Sequence, residues 1–132
     1  MENWRRVWRD GFVPGLPLAG LRALAEALRT DDPRLCQGHT VVAPPPVWLT
    51  VGLPIEAACA IGFCGWQDGL DTVTEIEMFL AKRVDAADTR LNQFGESRHF
   101  LNWFDESPRD VVRRELLPEV ELAIRAKESL AV

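Results

Sequence analysis

The chain has 132 residues, 47% of them apolar and 27% charged, with five tryptophans, six phenylalanines and no tyrosine. This suits a single domain spanning 1–132 that buries a core without disulfide or metal staples, and it excludes a disordered or fibrous chain. A net charge of -5 argues against a nucleic-acid binder, which needs a basic face to displace counterions.

Helical signals dominate the chain order. Asn3 is placed to cap a first helix in which Trp4, Val7 and Trp8 recur at i, i+3 and i+4, with Gly11 ending it. Residues 12–17 read as a turn-rich connection. Pro17 opens a second helix carrying the stripe Leu18, Leu21, Leu24, Ala25 and Leu28, and "TDDP" at 30–33 closes it. Residues 31–53, with Pro44, Pro45 and Pro46, read as an irregular loop. Its "VWLTV" resembles a strand but has no second β-like run to pair with.

Pro54 is expected to open a helix of small residues through Trp66. Thr72-Val-Thr-Glu75 is a capping box, and the helix behind it carries Val73, Ile76, Leu80, Val84, Ala87 and Leu91, with Gly95 as its stop. Ser97 starts a short helix through Phe100, Leu101, Trp103 and Phe104. Ser107-Pro108 starts the last helix, with Val112, Leu116, Val120 and Ile124 four apart and a kink expected at Pro118. The expected fold is all-α: a compact bundle of five to seven helices with an irregular proline-rich loop at about 31–53.

The longest apolar run, 47–66, contains Pro54, Glu56 and three glycines. A spanning helix needs about 20 cleanly apolar residues, so this run reads as core and no membrane partner is expected. The opening MENWRRVWRD shows no apolar leader, and three cysteines cannot all pair. Both point to a reducing, cytoplasmic setting with free thiols.

Two spacings invite a chemical reading: Cys36-x2-His39 and Cys59-x4-Cys64. Structural zinc takes four ligands in such knuckles. If 54–64 is helical, however, Cys59 and Cys64 point about 140° apart, and Cys59 falls on the apolar stripe Ile55, Gly62, Phe63, Trp66. No metal and no cofactor are therefore expected. A thiol centre at Cys36 needs an adjacent base, for which His39 or His99 is available, but no local signature accompanies them. Carboxylate pairs such as Asp85/Asp88 share a helix face with Lys82 nearby and read as solvated. No catalytic residue is assigned.

The reading is instead a non-catalytic helical interaction module, an adaptor or small subunit, whose partner is another protein. The first candidate surface is Trp4, Arg5, Arg6, Trp8 and Arg9, because Trp and Arg dominate binding hot spots. The second is the middle segment, where no Lys or Arg occurs from Leu35 to Ala81 and where Glu75 and Glu77 sit. Two other classes compete: a small metal- or thiol-dependent protein using Cys36 and His39, and an acidic inhibitor of a nucleic-acid-processing enzyme.

Overall fold

The fold is that of a computed structural model, which describes residues 2–43 and 55–130. Among these, six α-helices account for most of the chain: α1 (Asn3–Arg6), α2 (Leu18–Thr30), α3 (Ala60–Gln67), α4 (Val73–Arg90), α5 (Arg98–Glu106) and α6 (Arg109–Leu130). Two short strands, β1 (Val41–Val42) and β2 (Ala57–Ala58), pair antiparallel, with Val41 opposite Ala58. The all-α expectation holds, with this two-stranded sheet as its one addition. The "PPP" and "VWLTV" stretches and Pro54 lie outside the described residues.

The first helix does not stop at Gly11. It runs on as a π-helix (Val7–Phe12) and a 3-10 turn (Val13–Gly15). Gly11 instead lets α4 approach: a Cβ there would lie 3.0 Å from Leu91 Cδ1 and 3.1 Å from Ala87 Cβ. The terminal carbonyls of this segment are taken by arginines of α4. Arg90 donates to the Gly11 carbonyl at 2.8 Å and Arg83 to that of Gly15 at 2.9 Å. The end of α2 is closed the same way. Arg113 donates to the carbonyls of Leu28 and Arg29, and Arg109 to those of Asp32 and Leu35. Guanidinium groups at helix C-termini satisfy orphan carbonyls and meet the negative end of the helix dipole.

α3 is the innermost helix, with residues Ala60 to Gly65 all buried. It begins at Ala60 rather than near Pro54, because Ala57 and Ala58 are held in the sheet and Cys59 stands at the N-cap. Its neighbours reach it through glycines. A Cβ on Gly20 of α2 would lie 2.4 Å from the Cys64 carbonyl oxygen, and one on Gly65 would lie 2.8 Å from the Phe79 ring of α4. α2 also packs on α6, and α5 on α1.

The capping box at the start of α4 forms as read. The Glu75 N–H donates to Thr72 Oγ1 at 3.2 Å and the Thr72 hydroxyl donates to the Glu75 carboxylate at 2.9 Å. Thr72→Ala is therefore expected to cost about 1 kcal/mol in denaturant unfolding. α6 is continuous through Pro118. Pro118 and Arg114 are both exposed, so the carbonyl that loses its helical donor is open to water.

An aromatic cluster closes the core on the N-terminal side. Phe100 has ring neighbours Trp4, Trp8, Phe12, Trp103 and Phe104 at centroid distances of 5.1 to 6.4 Å. Trp4 stacks on Trp103 with centroids 3.6 Å apart.

Candidate interaction surface

The Trp/Arg helix is used inside the molecule. Trp4 is 3% exposed and Trp8 fully buried, so neither ring is at the surface. Each arginine is matched to a carboxylate of a distant element. Arg5 donates to Glu115 at 2.7 Å, Arg6 pairs with Glu96, and Arg9 grips both oxygens of Glu119 at 2.5 and 2.7 Å. The Arg5 hydrogen bond holds the Glu115 carboxyl below its usual range. This set anchors the first helix to α6 and to the segment before α5.

The thiols occupy two settings, Cys36 half-buried in the loop after α2, and Cys59 and Cys64 buried at the N-cap of α3 and within it. Cys36 donates to the main-chain carbonyl of His39 at 3.6 Å, while the His39 side chain itself is exposed. Burial, then the nearby Asp105 carboxylate, pushes the Cys36 thiol up. Burial pushes Cys59 up to about 11 and raises Cys64 as well. Thiols so placed are held in the protonated form at neutral pH and react only through the small thiolate fraction that grows as pH rises. Among the described residues, no group of three or more His, Cys, Asp or Glu side chains is arranged to hold a metal ion. His99 stands 3.7 Å from Glu96.

The outer face of α4 is different in kind. Glu75, Glu77, Met78, Lys82, Asp85 and Thr89 are all exposed along it, and Met78 shows 53% of its surface. Glu75 is committed to the capping box; the Thr72 hydroxyl, then backbone N–H groups, hold its carboxyl below the usual range. Glu77 lies two positions on, past the buried Ile76, and faces solvent.

At the C-terminal end of this face stands Phe94, 93% exposed. No local motif in the sequence marks this residue. Its turn is tightly built. Asn92 takes the left-handed conformation with φ 57°. The Gln93 N–H donates to the Asp88 carbonyl and the Asn92 N–H to the Thr89 carbonyl, both at 3.1 Å. These two bonds are a Schellman closure, so Asn92 and not Gly95 stops α4. The buried Asp88 carboxylate then accepts from the Gly95 N–H at 3.0 Å and the Ser97 N–H at 2.8 Å. Burial alone would push Asp88 up; the Ser97 and Gly95 N–H groups more than offset it and hold the carboxyl below its ordinary range.

A group whose folded value is depressed stabilises fully above its unfolded value, about 3.9, and loses that contribution as pH falls through the folded value. The turn is thus charged and closed at neutral pH. Asp88→Ala is expected to cost about 2 kcal/mol and to speed amide exchange at Gly95 and Ser97. Unchanged exchange there would show that the carboxylate does not hold the turn.

Phe94 and the side chains of Asp85, Thr89, Asn92 and Gln93 border an open groove of about 390 Å³. The surface therefore combines an exposed aromatic ring on a hydrogen-bonded turn, a flexible thioether and carboxylates. No described helix is long and apolar enough to cross a membrane. No protein-family model, no curated protein and no solved structure significantly matches this chain.

Proposed function

We propose that this chain is a non-catalytic helical interaction module that docks on another protein through the outer face of α4 and the Phe94 turn. The observation that carries the reading is Phe94, a phenylalanine 93% exposed on a turn that Asp88 fastens by two charge-assisted hydrogen bonds. Aromatic rings are enriched at interfaces, and a pre-ordered anchor loses little entropy on binding. The partner that fits has an apolar pocket for the ring and basic side chains for Glu77 and Asp85.

Burying one such ring contributes about 1.5–3 kcal/mol, so Phe94→Ser should weaken binding roughly 10- to 100-fold while leaving the melting temperature within about 2 °C. Glu77→Lys with Asp85→Lys should weaken it further and remove its salt dependence. The measurement is affinity capture from the native host with tagged protein, followed by titration of the captured partner against each variant. Equal affinity for wild type and both variants would refute this surface.

A further inference from the structure

The strand register brings two cysteines together. The Ala58 N–H donates to the Arg34 carbonyl at 2.8 Å, and the Ala58 carbonyl accepts from the Cys36 N–H at 2.9 Å. These bonds form a parallel bridge between Leu35 and Ala58. Leu35 and Ala58 are both buried, at 2% and 0% exposure, and so occupy the core side of this small ladder. Side chains alternate along a strand. The next residues along the two strands, Cys36 and Cys59, therefore stand beside each other on the other side of the ladder, where Cys59 is 8% exposed and its sulfur accepts from the Gly62 N–H at 3.5 Å. Cys59 is still extended there, with φ -68° and ψ 173°. Neighbouring strands run about 4.8 Å apart, and a disulfide spans Cα separations of roughly 4.4–6.8 Å.

The pair is also approachable. Cys59 lines a cavity of about 120 Å³ whose walls include His39, Thr40 and Asp105. Cys36 is only half-buried, whereas Cys64 is fully buried in α3.

We infer that Cys36 and Cys59 form a reversible intramolecular disulfide when the protein meets a peroxide. The sulfur of Cys36, the more exposed thiol, attacks the O–O bond of hydrogen peroxide. It becomes a sulfenic acid as one water leaves. The sulfur of Cys59 then attacks that sulfur, the S–S bond forms, and the hydroxyl departs as a second water with the remaining thiol proton. Two thiols and one peroxide give one disulfide and two waters, and a dithiol reductant reverses the step. The bond would tie the loop after α2 to the N-terminus of α3 and close a loop through residues 37–58. It should raise the melting temperature by roughly 5–10 °C.

The test uses the full chain, reduced, at mildly alkaline pH, with hydrogen peroxide as the probe. Intact mass should fall by two hydrogens, one thiol should remain titratable, and peptide mapping should link Cys36 to Cys59. Dithiothreitol should restore all three thiols. Cys64→Ser should behave like the native chain, while Cys36→Ser and Cys59→Ser should not form the internal bond. Three thiols surviving peroxide, a link to Cys64, or over-oxidation of Cys36 without a link would each overturn the inference.

Discussion

Trp8→Ala should lower the thermal midpoint by roughly 10–20 °C, the counterpart of about 3–5 kcal/mol for emptying a fully buried tryptophan site. Trp8 is 0% exposed and its ring lies 5.1 Å from Phe100, the centre of the aromatic cluster. The site has little room to collapse, because Trp4, Phe12 and Phe104 already surround the same ring. Trp8→Phe is expected to cost much less. It retains most of the apolar contact and also removes the indole N–H, which is buried with no acceptor. An unpaired buried donor is itself destabilising, so the two effects partly cancel. Circular dichroism melts of the two variants check this. A Trp8→Ala protein that melts like the native chain would return the first helix to the surface.

Gly20→Ala makes a prediction whose sign is informative. Helix propensity alone favours alanine over glycine inside a helix by about 1 kcal/mol. The added Cβ, however, would meet the carbonyl oxygen, carbonyl carbon and Cα of Cys64 at 2.4, 2.9 and 2.9 Å. These are backbone atoms, so no side chain can swing aside, and α2 and α3 must separate. Overpacking of this kind costs about 1–3 kcal/mol and occasionally more, so we expect a net loss of about 3 kcal/mol and a still larger one for valine. Gly38 is the control. It has φ +84° and nothing within 4 Å of an added Cβ, so Gly38→Ala should cost only about 1 kcal/mol of backbone strain. Chemical denaturation of both variants measures the difference. Stabilisation by Gly20→Ala would contradict the close α2–α3 contact.

Features governed by short-range physics were readable from the residues. The Thr72–Glu75 capping box and the stripe behind it are local, and they formed where expected. Features governed by distant partners were not. Ala57–Ala58 sits within a small-residue apolar run that reads as helix; only its pairing with Val41–Val42 makes it strand, and two residues are too few to show alternation. The arginines of the first helix look like a binding surface by composition. The carboxylates that claim them, Glu96, Glu115 and Glu119, lie 90 to 110 positions away in the chain. Phe94 was not legible from local pattern. It lies three residues beyond Leu91, so a helix running on to Gly95 would have placed it on the buried stripe. Asn92 ends α4 two residues earlier and turns the ring to solvent.

The proposed recognition rests on the exposed Phe94 ring on the turn that follows α4. The most direct measurement is the affinity of the captured partner for the native chain and for Phe94→Ser, taken with melting curves on the same samples. Phe94→Ser is expected to lose roughly 10- to 100-fold in affinity with melting unchanged. Equal affinity, or a loss of affinity that merely follows a loss of folding, would contradict it.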